Sequence, residues 1–429
     1  MKKRVKGFLN KPLVKDNAVL FLGMLVLNAF NFFFHFYMGR KLGPEAYATL
    51  GASLAILYLM NIPLNTIQTG IARFTTQYAV EKSPGKVHAL FSRSLRKLMI
   101  AGILGVGGFL LFIPLLSDFL RMEARTLFIL SPFLFFALLV PIPRGILQGL
   151  QRFPGLSANL AAEGIIRLVA GVVLVMLGWG VDGAVGAITV SYFFVLLLGF
   201  IPLRDVLREK KKEISTKEMY GYGLPVLVML LSLTLLYSID IMLVKHYFAD
   251  IDAGYYAAAS LLGKTIFFGS LSISQVMFPK AAELREEGKP SKGLAYKSLG
   301  IMMLVILPFL LVYFLMPEFI VGLLYGEEFL PISPLLGWFG AFMSLISLVY
   351  LLGFYFISVG KRRFLWVLAG FNLLEIAGVM VFHKNLIQVI WVLDIAMLLL
   401  LAVLLMMLVV MKDEKGRTDR TFHHYTGVQ

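Results

Sequence analysis

The 429-residue chain contains no cysteine, which rules out disulfides and thiolate metal sites together. Charge is also scarce: 15% of residues are Asp, Glu, Lys or Arg, against roughly 25% in soluble domains. Hydrolytic motifs are missing too. No HExxH, GxSxG or comparable arrangement occurs, so the sequence offers no active site and reads as a non-enzyme without cofactors. The basic start MKKRVKGFLNKPLVKD has no small-residue cleavage site behind its apolar run. That run ends in aromatics and Arg40-Lys41, so it reads as an uncleaved first span.

What the chain does have is apolar length. It is 59% hydrophobic, with a mean hydropathy of +0.82. The surplus falls in runs of about 20 residues, enough for a helix to cross ~30 Å of hydrocarbon. They lie near 17–38, 46–70, 98–119, 126–148, 156–178 and 182–202, then 219–248, 254–280, 294–316, 332–359, 364–382 and 386–411. Continuous runs exclude a β-barrel, whose strands alternate. The expectation is an all-α integral membrane protein of about twelve transmembrane helices.

The net charge of +15 suggests nucleic acid at first sight, but topology accounts for it. With the N-terminus in the cytosol, only Arg40, Lys41, Arg121, Arg125 and Lys384 fall in external segments. Arg167, Lys245 and Lys264 fall within spans, and the other Lys and Arg are cytosolic. That bias obeys the positive-inside rule. It predicts a multi-pass protein of the cytoplasmic membrane with both termini in the cytosol, and no nucleic-acid partner.

The chain also repeats itself. LGPEAYATLGASL follows the first span and DIDAGYYAAASLL the seventh, placing Tyr47 opposite Tyr255. RFTTQYAVEKSPGK follows the second and MFPKAAELREEGKPSK the eighth, placing Phe74 opposite Phe278. GLQRF (149–153) leaves the fourth span and GKRRF (360–364) the tenth. Three matches in one order at similar separations indicate a duplication. An even number of spans per copy makes the copies parallel, as in secondary transporters whose halves rock about a mid-bilayer site. The expected organisation is an N-lobe (1–204), a cytosolic linker (205–218) read as a solvated tether, a C-lobe (219–411) and a cytosolic tail (412–429).

These segments, with SIDIMLV, SQVMFPKAAEL and LLYGEEFLPISPLL, resemble the polysaccharide-transporter family. That family includes oligosaccharide and O-antigen flippases. It belongs to a superfamily shared with lipid II flippases and multidrug and toxic compound extrusion proteins. The resemblance implies two pseudo-two-fold-related six-helix lobes around a central cavity lined mainly by spans 1, 2, 7 and 8. It also implies alternating access that carries a polyprenyl-pyrophosphate-linked saccharide to the outer leaflet. The implied partners are that lipid-linked saccharide, membrane lipids and a coupling cation, Na+ or H+.

Ionisable groups inside a membrane are costly, so each calls for a partner or a purpose. Asp240 in span 7 and Lys264 in span 8 both lie roughly 13–15 Å deep, so they can pair. Such a pair either braces the helices or lines the cavity. For an anionic pyrophosphate the candidate cations are Arg73, Arg144 and Lys264. The stripe Asn28, Asn31 and His35 shares one face of span 1 and is a candidate cavity lining. Glu163 and Arg167, four apart, read as an internal pair of structural character. Glu375 in span 11 and Asp394 in span 12 share one depth, and Asn372 lies one turn from Glu375. Lipid II flippases bind sodium through spans 7, 11 and 12. The resemblance therefore makes Asp240, Asn372, Glu375 and Asp394 coupling-ion candidates, with no metal expected beyond such a monovalent cation.

Two motifs mislead. AASLLGKT (258–265) fits a relaxed phosphate-loop pattern, but it lies within an apolar span with no strand before it. Asp250 and Asp252 form a DxD that the repeat places opposite LGPEAY, in a connecting loop. A cation-coupled multidrug exporter is the nearest alternative function. It would want acids in its cavity, yet span 1 has none and span 7 has only Asp240. A membrane glycosyltransferase is a weaker one, since the longest external segment (317–331) is too short to hold a saccharide site.

Overall fold

The computed structural model of the protein describes residues 12–214 and 224–411. The basic N-terminal stretch, the end of the expected linker, the first residues of the expected C-lobe and the 412–429 tail lie outside the described residues. Among the described residues there is no strand. The helices are α1 (Pro12–Val80), α2 (Pro84–Leu120), α3 (Ala124–Leu139), α4 (Pro141–Gly149) and α5 (Phe153–Leu174). They continue as α6 (Gly180–Phe200), α7 (Arg204–Arg208), α8 (Leu224–Leu235), α9 (Ile239–Tyr247) and α10 (Asp250–Glu286). The last five are α11 (Lys292–Leu315), α12 (Pro317–Leu324), α13 (Ser333–Ser358), α14 (Phe364–Val381) and α15 (Leu386–Val410). In hydrocarbon only internally bonded backbone is tolerated, which is why these apolar runs are helical.

Among the described residues, ten continuous runs are long and apolar enough to cross a membrane, and two of them are of double length. The first, Val19–Val80, breaks at Gly43, whose φ of 70° suits a residue without Cβ. His35 Nδ1 and Tyr47 Oη lie 3.2 Å apart across the break. A straight helix would separate them by about 18 Å, so the chain folds back there. The other, Phe153–Arg208, turns at Gly178 and Gly180. Asn159 Nδ2 donates to the Val195 carbonyl at 2.7 Å, so α5 and α6 lie side by side. The expected twelve segments are reached only by dividing both runs at these glycines.

Several helices outrun their apolar windows. The second limb of α1 reaches Val80 because Ile71, Phe74, Thr75 and Tyr78 form a buried helical stripe between polar residues. On the outer faces large apolar side chains stay bare, such as Leu111 (82% exposed) on α2 and Leu304 (72%) on α11. A water-facing surface would not carry such a belt. This is a multi-pass membrane protein.

The chain packs as two compact units. One runs to Leu227 and adds Ile241–Ala258 and Gly322–Phe329; the other comprises Val228–Asp240, Ala259–Val321 and the chain from Leu330 on. These boundaries differ from a division at the 205–218 linker. In the first unit α5 packs on α1, α4 and α6, and α3 packs on α2 and α6. In the second, α13 is the most enclosed helix and packs on α11 and α15.

Close contacts explain why two segments of the second repeat join the first unit. The repeat motifs themselves cross: a methyl on Gly254 would lie 1.8 Å from the Pro44 carbonyl oxygen, and one on Gly51 would lie 2.6 Å from Ala257 Cβ. Buried Ala48, Ala52, Ala253 and Ala258 continue this small-residue seam. Arg40 donates to the carbonyls ending α12, Leu323 at 2.5 Å and Leu324 at 3.1 Å. His246 Nδ1 donates to the Phe119 carbonyl near the end of α2 at 2.6 Å, its ring stacked on Phe119. Both are cationic or polar caps on free helix carbonyls. The Lys-rich stretch after α7 is not the free tether that its charge suggests. Its backbone is tied to α2, with Lys212 N donating to Gly85 O at 3.1 Å.

Candidate functional site

Each unit buries a cluster of polar and charged side chains beside a broken helix. In the first unit the fourth span breaks between α3 and α4, where Pro141 and Pro143 supply no N–H. Arg144 follows the break and is buried. Its Nε donates to Asn159 Oδ1 at 2.7 Å and its Nη2 to Glu163 Oε2 at 2.8 Å. Arg167 clamps the same carboxylate from the other side, Nη2 to Oε1 at 2.5 Å. It also donates to Asn31 Oδ1 at 2.7 Å and lies 5.9 Å from the Tyr192 ring. Asn159, Glu163 and Arg167 recur every four residues, which puts them on one face of α5. Two guanidiniums share one carboxylate, so the cluster keeps a net positive charge. Arg167 Nε, though buried, finds no acceptor among the described residues.

In the second unit the seventh span breaks between α8 and α9, at Leu236–Ser238. Asp240 stands in the first turn of α9, where unpaired N–H groups favour a carboxylate. The Lys264 ammonium lies 5.7 Å from the Tyr237 ring centroid and within electrostatic reach of Asp240. Glu375 on α14 is completely buried and lies within electrostatic reach of the same Asp240. Neither Glu375 oxygen accepts a hydrogen bond among the described residues, and neither does Asn372 Oδ1 one turn earlier. Asp240 thus stands within electrostatic reach of both Lys264 and Glu375, and Asn372 lies one helical turn before Glu375. No three His, Asp or Glu among the described residues gather as a metal cluster would require.

The other candidates are more dispersed. Asn28 and Arg73 are exposed. His35 is buried and bonded to Tyr47 Oη, which is 3.0 Å from Tyr325 Oη. Asp394 is half-buried on α15, and neither of its oxygens accepts a hydrogen bond among the described residues. Asp250, half of the misleading DxD, is ion-paired with Lys245. Sequence reasoning passed over Asn159 and Tyr192, although the four-residue spacing of Asn159, Glu163 and Arg167 would have found the first.

A sequence profile of the polysaccharide biosynthesis protein family matches residues 37–334, more than half of the chain. The chain belongs to this family. No curated protein sequence matches the chain. Among solved structures it is similar to an inward-facing multidrug resistance MATE family transporter of the MOP superfamily. The TM-score is 0.76 at 14% identity, covering 92% of this chain and 98% of that chain. It is also similar to the lipid II flippase MurJ in an inward closed conformation, with a TM-score of 0.71 at 14% identity, covering 92% and 88%. A MOP superfamily transporter from Pyrococcus furiosus gives 0.62 at 15% identity, covering 92% and 95%. At such identities the likeness is one of fold.

Proposed function

We propose that this chain is an alternating-access flippase that moves a polyprenyl-pyrophosphate-linked oligosaccharide from the cytosolic to the outer leaflet. The observation that carries the reading is the buried positive cluster of Arg144 and Arg167 around Glu163, in a family tied to polysaccharide synthesis. An anionic head group gains from surplus guanidinium charge in a low-dielectric setting, and arginine suits phosphate geometry. Broken helices beside the charged groups are typical of transporter binding sites. The lipid tail remains in hydrocarbon while the polar head is shielded.

Coupling falls to the second cluster. With Asp240 balanced by Lys264, the Glu375 carboxyl is left to take up one cation or proton, with Asn372 as an added oxygen ligand. The test is translocation of a fluorescent polyprenyl-pyrophosphate saccharide in proteoliposomes under Na+ and pH gradients. Gradient-driven movement is expected. Glu375→Gln should lower the gradient-dependent component on the order of tenfold or more. Lys264→Met should also depress transport, and unchanged transport in that variant would reduce Lys264 to a brace. A protein inert toward this cargo yet active on a cationic dye would turn the assignment to a cation-coupled exporter. That second reading is favoured by the acids of the same cluster.

A further inference from the structure

One face of α2 changes character abruptly. Arg93, Arg96 and Lys97 are exposed, and Ile100, Ile103 and Leu104 follow them along the same side at helical spacing. Ile103 and Leu104 are 61% and 70% exposed, so this side meets hydrocarbon. The basic residues one to two turns earlier therefore stand at headgroup depth, not in open water.

A second basic element is fixed beside them. His88 Nδ1 donates to the Glu209 carbonyl at 2.6 Å, Lys212 N to the Gly85 carbonyl at 3.1 Å, and the Arg93 guanidinium to the Ile214 carbonyl. These bonds hold the exposed Lys210, Lys211 and Lys212 along the start of α2. Off the strip, the nearby acids are already engaged, Glu81 with Lys86 at 2.6 Å and Asp205 with Arg152. Glu209 and Glu213 remain on the strip itself.

The repeat supplies an internal comparison. Where α2 reads Ser94-Leu95-Arg96-Lys97-Leu98-Met99, α11 reads Ser298-Leu299-Gly300-Ile301-Met302-Met303. Lys297 stands where α2 has Arg93, but Arg96 and Lys97 correspond to Gly300 and Ile301, and cytosolic placement, which bears on both halves alike, does not account for that difference.

We infer that the Arg93–Lys97 face and the pinned 209–214 strip form a docking platform for the headgroups of anionic phospholipids in the adjoining leaflet. Charge complementarity selects the occupant, because clustered juxtamembrane Lys and Arg attract anionic lipid surfaces. The inference stands whether or not the protein moves lipid-linked saccharide.

The experiment uses the full-length protein in phosphatidylcholine bilayers, with spin-labelled phosphatidylglycerol and phosphatidylcholine as probes of lipid held at the protein surface. Wild-type protein is expected to prefer the anionic probe on the order of five-fold. Arg96→Gln/Lys97→Gln and Lys210→Gln/Lys211→Gln should each reduce that preference, and together they should abolish it. Neither pair removes a backbone bond that pins the strip. Lys292→Gln/Lys297→Gln on α11 should leave it intact. An unchanged preference in the combined variant, with its unfolding temperature preserved, would overturn the inference. Loss of the preference on adding millimolar inorganic phosphate would overturn it as well, in favour of a soluble-phosphate site.

Discussion

Replacing Glu163 with glutamine is expected to destabilise the protein by about 3–5 kcal/mol, the usual effect of leaving a buried charge without its partner. Arg144 and Arg167 both spend a donor on this carboxylate, and both are buried. A neutral amide presents one oxygen to two guanidiniums and turns an N–H2 group toward one of them. The check is unfolding of detergent-solubilised protein followed by intrinsic tryptophan fluorescence. Glu375→Gln is the informative control, since it makes the same chemical change at an equally buried site. There no hydrogen bond to the carboxylate is lost among the described residues. That variant should match or exceed wild-type stability. Equal losses in the two variants would mean that Arg144 and Arg167 do not depend on the Glu163 carboxylate.

Gly254→Ala should be the most disruptive of the conservative changes. The new methyl would meet the Pro44 carbonyl oxygen at 1.8 Å and the carbonyl carbon at 2.5 Å, and backbone cannot swing aside. Overpacking of this kind costs about 1–3 kcal/mol, and more where nothing flexible yields. The strain falls on the seam where the two repeat motifs cross, so the seam should loosen. Because the native chain has no cysteine, a single Ala48→Cys thiol reports this directly. Ala48 is buried at the seam, and its thiol should react faster with a maleimide in the Gly254→Ala background. Matching rates and stabilities would mean that the helices do not depend on this close approach.

Much of the architecture was legible in the sequence because hydrocarbon imposes simple rules. Runs of about 20 apolar residues must be helical, and the belt around α2 and α11 follows from the same composition. The breaks were harder. Proline announces the one before Arg144, but Leu236–Ser238 is apolar enough that hydropathy passes straight through it. A hydropathy window registers transfer cost, not which backbone carbonyls are satisfied. Partner choice was less legible still. Glu163 and Arg167 could be paired by spacing, whereas the second guanidinium comes from Arg144 on another helix, and no local pattern encodes that approach. The ties on residues 209–214 were hidden for a similar reason: a run of lysines advertises solvation, while the bonds that fix it are made by backbone.

The two caps on helix ends carry a consequence for how the duplicated chain can change. Arg40 closes the end of α12, and His246, from a nearly equivalent place in the other copy, closes the end of α2. Each copy therefore completes a helix that belongs to its sibling. A substitution at either cap removes a hydrogen bond from a helix in the opposite half of the chain. The guanidinium is always charged, whereas the imidazole need not be. The two caps thus differ in how their charge responds to pH.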